Sequence, residues 1–270
     1  MGGRPVVQHV IEELGGAGVQ RVLFVTGRGK NSIEDHFDSD AELIRILRET
    51  GREELLAELD YEHVGLEYLY TRQRAQRGLA DAVLCAEAFT QSSPFVLVLG
   101  DSIVGRDGGG DGRTVRALVE AFEERRAACA VAVSEVPGDH AHRYGVVSGA
   151  DDGAAAFEIS ALEEKPRSFS GESALAISAR YVFAPEIFDA IRATAPDAQG
   201  EVQLTHAMGV LLARGLPVIG VRLAGGERRF DAGTPEGYAE TFLEFALNDP
   251  RLGARLRESA RRLLDEDRPR

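Results

Sequence analysis

Two aspartates in this chain stand where a strand-like run gives way to a turn. Residues 95–101, FVLVLGD, form an apolar run that ends on Gly100 and Asp101, and in FDAGT (230–234) Asp231 stands just ahead of a turn glycine. A carboxylate that leaves a buried strand emerges at the ligand edge of an open sheet, where its oxygens suit Mg²⁺. Each aspartate alone also fits a helix cap or an ordinary Asp-x-Gly turn. Taken together, two carboxylates on one Mg²⁺ can bridge phosphates, as many phosphoryl-transfer sites do.

Further polar groups stand at other element ends. Glu163-Glu164-Lys165-Pro166 closes a strand-like run, and Pro166 favours an extended Lys165. Lysine is a point-charge donor for phosphate, and glutamate accepts hydrogen bonds from sugar hydroxyls; a solvated charged strand end is the plainer alternative. Arg72-Gln73-Arg74 leads toward Gly78 at the start of a helix. Glutamine can read a nucleobase edge with its donor and its acceptor, and glycine lets a base come close to the backbone. An ordinary basic loop fits as well. TGRGKNS (26–32) is a structural turn and not a Walker loop, because Phe24 and Asn31 occupy positions that need Gly and Ser or Thr. His140 and His142 form a lone HxH, and no HExxH, Cys/His cluster or GxSxG elbow occurs, which argues against zinc and against a serine nucleophile.

Composition narrows the class. With 44% hydrophobic and 28% charged residues in 270, the chain can bury a sizeable core. A net charge of -13 disfavours nucleic acid as a partner. No apolar run approaches a membrane span, and residues 1–16 lack a signal-peptide core, so a cytoplasmic protein is expected. Cys85 and Cys129 sit in apolar stretches and read as buried structural thiols.

The elements that must position these residues alternate. Helices are expected at 7–19, 31–37, 40–59, 78–89 and 114–126, with Asn31 or Ser32 as the cap of the second. Strands are expected at 21–26, 66–72, 95–101 and 128–136. Runs 144–149, 157–166 and 175–183 read as antiparallel or edge strands. Helices at 185–194 and 203–215, a strand at 216–223 and a helical segment from 235 complete the pattern. The βαβ rhythm implies an α/β fold with a mostly parallel sheet and helices on both faces. Such a sheet normally opens on a strand, and this chain opens on a helix. The expected consequence is a gap in the hydrogen-bond ladder.

The order of the segments adds more than any one of them. VTGRGKNSIEDHFD, TRQRAQRGLADAVLCAE, LGDSIV, RYGVV, EEKP, LAISARYVF, GEVQLTHAM and FDAGTPEGY follow one another between Val25 and Tyr238, within a resemblance that runs over residues 3–245. This series resembles the bacterial UTP–glucose-1-phosphate uridylyltransferases of the sugar nucleotidyltransferase family, with KNSIEDHFD and QLT the most specific parts. The resemblance implies a Rossmann-like nucleotide-diphospho-sugar transferase fold with its first strand missing. It implies a nucleotidyltransferase domain at 1–235 and a C-terminal helical segment at 236–270. It makes Gln73 and Gly78 the uracil readers, and Asp101 and Asp231 the Mg²⁺ ligands. Gly145, Glu164 and Ala179 fall around the glucose, and Lys165 on the sugar-linked phosphate. The chemistry implied is in-line attack of glucose 1-phosphate on the α-phosphorus of UTP, with pyrophosphate leaving and no covalent intermediate.

The chain departs from the family pattern in four places. Ala80-Asp81 stand where Gly-His is common, Ala179 where a glycine precedes Arg-Tyr, and Ala232 where a cysteine follows the aspartate. The family's opening GxGTRxxPxTxxxPKxxLP loop is not among these residues, so severely impaired activity is expected of the chain as written. Either a start upstream of Met1 or a genuinely shortened chain would account for that. Alternatives to uridylyl transfer are thymidylyltransferase-like specificity and a non-catalytic sugar-nucleotide-binding subunit. A homo-oligomer is expected through helices spanning 236–267, with Leu243, Phe245, Leu252, Leu256 and Leu263 as an apolar stripe.

Overall fold

A computed structural model describes residues 1–38, 41–52, 55, 65–106, 109–150 and 153–266. The N-terminal part comprises α1 (Val6–Gly16), β1 (Arg21–Thr26), α2 (Asn31–Phe37), α3 (Ala41–Glu49), β2 (Glu67–Arg72), α4 (Leu79–Leu84) and α5 (Glu87–Thr90). Next come β3 (Phe95–Val98), β4 (Ser102–Gly105), α6 (Arg113–Glu124) and β5 (Cys129–Pro137). A 3₁₀ turn at Gly138–Arg143 precedes β6 (Gly145–Gly149), β7 (Ala156–Glu164) and β8 (Ser173–Phe183). The chain then forms α7 (Glu186–Ala193), α8 (Leu204–Ala213), β9 (Val218–Arg222), β10 (Arg228–Asp231), α9 (Pro235–Asn248) and α10 (Gly253–Glu266).

The main sheet has six strands in the order β3-β8-β5-β9-β7-β6. Strands β5 and β9 pair in parallel, and β8 runs antiparallel between β3 and β5, so β3, β5 and β9 all point one way. Alternation along β5 shows how the layers form. Cys129, Val131 and Val133 face a cluster with Val83, Ile187, Phe188, Met208 and Leu211 from α4, α7 and α8. Ala130 and Ala132 face Leu118, Ala121 and Phe122 of α6 on the other side. This period of two is the signature of a strand buried on both faces. Phe183, fully buried at the centre of the first cluster, contributes on the order of 2 kcal/mol by leaving water. The mixed α/β architecture with helices on both faces is thus present.

The ladder is interrupted. Strands β1 and β2 form a separate parallel pair, and β3 ends the six-stranded sheet. Among the described residues, neither β1 nor β3 has a ladder partner on its second edge. Side chains still join the two parts: Val22 and Phe24 of β1, Ile11 and Leu14 of α1, and Val96 and Val98 of β3 share one cluster.

Several local expectations are corrected. Helix α2 is capped at Lys30 without a side-chain hydrogen bond, and Asn31 instead accepts from Arg72. The helix expected at 40–59 ends at Glu49, ahead of Gly51 at φ 67°, and residues 53–54 and 56–59 lie outside the described residues. The helix expected at 78–89 is split into α4 and α5. The C-terminal segment is two helices. Thr234 caps α9 through Gly237 N–H, and Pro250 cannot continue it; Asp249 accepts from Arg251 and Leu252 N–H at the break. The expected stripe is not one face. Phe245 is buried against Ile103 and Phe230, whereas Leu243, Leu252 and Leu263 are more than half exposed.

Cys129 is buried, and burial pushes its thiol well up, but Cys85 is only half-buried. Burial, with help from nearby Asp81, also raises Cys85.

Candidate active site

The two aspartates meet because of a short antiparallel ladder that pairs β4 with β10. Its register sets Asp231 opposite Ser102 and Phe230 opposite Ile103. Ala232 N–H donates to Asp101 O at 2.8 Å, and Gly233 N–H to Asp231 Oδ1 at 3.0 Å. Both carboxylates border one small space over Gly233. A methyl group there would stand 2.8 Å from Asp101 Oδ2 and 3.3 Å from Asp231 Oδ1. Asp101 is exposed and Asp231 half-buried, so neither is lost in a core.

Arginines brace the pair from below. Arg229 Nη2 lies 3.2 Å from Asp231 Oδ2, its Nε donates to Ser102 Oγ at 3.2 Å and its Nη1 to Ile177 O at 3.1 Å. Its guanidinium lies over the Tyr144 ring, 5.2 Å from the centroid. An open cavity of about 440 Å³ runs beside Tyr144, Ile177, Arg229 and Asp231. Deeper still, Arg180 Nη2 donates to Ser102 O at 2.9 Å and to Glu13 Oε2 at 2.7 Å. Its Nε meets both oxygens of the same carboxylate, at 3.0 and 3.2 Å. Burial pushes the Glu13 carboxyl up, and the Arg180 charge opposes it. Glu13 comes from α1 and Arg180 from β8, so the ion pair ties the N-terminal helix to the strand beneath the acids.

A second group forms at the β6–β7 edge. Gly145 pairs with Glu164 in register, and Thr205 Oγ1 at the start of α8 donates to Glu164 Oε2 at 2.7 Å. Lys165 Nζ lies 3.7 Å from Glu164 Oε1 and is largely exposed. The backbone of Lys165 is not extended as Pro166 would favour. It sits at φ 47°, in the left-handed region, while its N–H donates to Tyr144 O at 3.0 Å and closes the strand end. Ala179 is left-handed too, at φ 59°, where the register of β5 and β8 shifts between Val131 and Val133. A non-glycine residue in that region costs about 1–2 kcal/mol, and such strain gathers at functional sites. Ala179 is buried, and its carbonyl accepts from Leu99 N–H, on the segment that leads to Asp101.

The third group lies after β2. Gln73 Nε2 donates to Asp81 Oδ2 at 2.7 Å and to Gly78 O at 3.2 Å. Gly78, at φ 95°, adopts a backbone conformation that side chains resist, and a Cβ would stand 2.9 Å from Val202 O. Val202 N–H donates to Arg77 O, so this group is fastened to the segment just ahead of Thr205. The three groups are therefore linked. Thr205 and Val202 join the second and third, and Ile177, Tyr144 and Arg229 join the first and second.

A family model described as nucleotidyl transferase matches residues 1–246. The chain belongs to this family. Within it, UTP–glucose-1-phosphate uridylyltransferase 2 of Staphylococcus saprophyticus is 35% identical, over 96% of this chain and 87% of the relative. The uridylyltransferase of Staphylococcus haemolyticus is 34% identical, over 92% of this chain and 84% of the relative. Among solved structures, a UTP-bound UGPase from Acinetobacter baumannii matches with a TM-score of 0.82 at 27% identity, covering 95% of this chain and 87% of that one. A UDP-glucose pyrophosphorylase complexed with UDP-glucose matches with a TM-score of 0.74 at 29% identity, covering 88% and 84%.

The acid pair fits the hard divalent cation that nucleotidyl transfer implies. Its donors are oxygens, both carboxylates open onto one space, and glycine keeps that space clear. Among the described residues no third acidic, His or Cys side chain joins them. That suits a cation that keeps its remaining positions for water and phosphate oxygens. Reading the sequence missed Arg229, Ser102, Thr205 and the Glu13–Arg180 pair, and met Asp81 only as a departure from the family pattern. Thr205 stands in the QLT segment and Arg229 beside Phe230-Asp231, so both were adjacent to visible signals. Glu13 carried none.

Proposed function

We propose that this chain binds UTP and glucose 1-phosphate and joins them into UDP-glucose with release of pyrophosphate. The observation that carries the reading is the convergence of Asp101 and Asp231 over Gly233, in a chain of this family. The uracil belongs at Gln73 and Gly78, the glucose at Gly145, Glu164 and Ala179, and the sugar-linked phosphate at Lys165. An oxygen of that phosphate attacks the α-phosphorus of UTP. The new P–O bond forms as the bond to the β-phosphate oxygen breaks, and pyrophosphate carries away the electron pair. Mg²⁺ held by Asp101 and Asp231 would offset phosphate charge. Lys165 contributes a further cation, and the braced backbone holds the groups still, so positioning and electrostatics carry the rate.

Titration calorimetry with UDP-glucose and Mg²⁺ tests the binding site, and pyrophosphate release from UTP and glucose 1-phosphate tests turnover. Saturable binding of one UDP-glucose per chain is the expected result. A chain that binds no UDP-glucose contradicts the proposal.

No helix among the described residues is long and apolar enough to cross a membrane. Residues 1–235 carry every candidate site residue. Residues 236–266 display Tyr238, Phe242, Leu243, Leu252, Leu263 and Leu264, each about half exposed or more. We infer from this apolar surface a homo-oligomer joined through α9 and α10. Sedimentation velocity should show a species larger than 29.2 kDa. A monomer at every concentration contradicts it.

A further inference from the structure

We propose that Asp81 is a specificity-determining residue that locks the Gln73 amide in one orientation and so selects pyrimidines carrying an N3–H. The inference rests on the proposed base site and deepens it. A glutamine amide has a donor end and an acceptor end of nearly the same shape. Which end meets a base is settled by what holds the other. Here the Nε2 group faces Asp81 Oδ2 at 2.7 Å and Gly78 O at 3.2 Å. A carboxylate and a carbonyl oxygen only accept, so the NH₂ end must face them. The reverse orientation would set oxygen against oxygen twice.

Two groups remain. Gln73 Oε1 accepts no hydrogen bond from any described residue, and Gly78 N–H donates none. An acceptor and a donor thus stand next to each other, with the Gln73 amide within hydrogen-bond distance of the Gly78 carbonyl. Uracil and thymine offer the complement: an N3–H donor beside a carbonyl acceptor. Cytosine presents the reverse, an N3 acceptor beside an amino donor. With the amide locked, cytosine meets acceptor with acceptor and donor with donor, and rejection comes from unpaired polar groups more than from shape. The lock does not separate uracil from thymine, whose edges match here.

The site also shows what an acid does at this position. Asparagine at 81 could donate to Gln73 Oε1 as readily as it accepts from Nε2. The turned amide, opposed then only by Gly78 O, would offer its NH₂ to the N3 of cytosine. Position 81 is fixed in place by the start of α4, where the chain reverses at Gly78. A carboxylate there reaches Gln73 without a water between them.

The test is calorimetric titration of UTP and of CTP, each with Mg²⁺, into wild type, Asp81→Asn and Asp81→Glu. Circular-dichroism melts accompany each titration to score the fold. Wild type should prefer UTP, and Asp81→Asn should lower the UTP-to-CTP affinity ratio by about tenfold or more. Asp81→Glu, which can still only accept, should keep most of the preference. If Asp81→Asn loses its fold, the Glu variant decides alone: a preference reduced as far as loss of the lock requires, in a folded protein, overturns the proposal. A wild type that prefers UTP beside an Asn variant with the same ratio overturns the Asp81 lock and leaves the uridylyl reading standing. A wild type that binds neither nucleotide overturns both.

Discussion

Glu13→Ala should bring this protein close to unfolding at room temperature. Among the described residues, the substitution removes the only carboxylate paired with a guanidinium that is 0% exposed, since Glu13 supplies both oxygens to Arg180 Nε and Nη2. A charge left buried without its partner costs about 3–5 kcal/mol, against a total stability of about 5–15 kcal/mol for a typical domain. The damage extends beyond the pair. Arg180 also holds Ser102 O and Ala179 O, the backbone on which Asp101 and the left-handed turn depend. Urea unfolding followed by circular dichroism should show a large drop in midpoint. Replacing both partners, Glu13→Leu with Arg180→Met, should recover part of the loss, because no uncompensated charge is then buried. A midpoint for Glu13→Ala equal to that of wild type would contradict the burial and pairing described here.

Gly233→Ala should do the opposite: spare the fold and disable the site. The backbone at Gly233 is not left-handed, and the atoms its methyl would strike are the carboxylate ends of Asp101 and Asp231, at 2.8 and 3.3 Å. Asp101 is exposed and can swing away, so stability should change by less than about 1 kcal/mol. The swing takes the carboxylate off the space it shares with Asp231. UDP-glucose titrated with Mg²⁺ should therefore bind more weakly to a variant that melts with wild type, by as much as EDTA weakens wild type.

The acids were legible in the sequence because each ends or precedes a recognisable strand or turn. What was not legible is the ladder that joins them. Strands β4 and β10 have four residues each, and β10 opens with Arg228 and Arg229, which carry no apolar periodicity. Main strands such as β5 could be read because their apolar runs are long and continuous. The left-handed turns at Lys165 and Ala179 escaped because ladder closure and a register shift impose them, and neither residue type asks for that backbone. Gln73 was expected to offer a base both its donor and its acceptor. The structure commits its donors to Asp81 and Gly78, and the Gly78 N–H is left to take their place. The pairing of Glu13 with Arg180 joins distant segments and leaves no trace in local spacing.

We propose that Asp101 and Asp231 act as one divalent-cation site for the sugar nucleotide. Calorimetric titration of UDP-glucose into wild type, Asp101→Asn and Asp231→Asn, with Mg²⁺ and then with EDTA, tests it most directly. Wild type should bind more tightly with Mg²⁺ than with EDTA, and either substitution should erase this difference. Asparagine variants whose affinity still rises with Mg²⁺ as it does in wild type would contradict it.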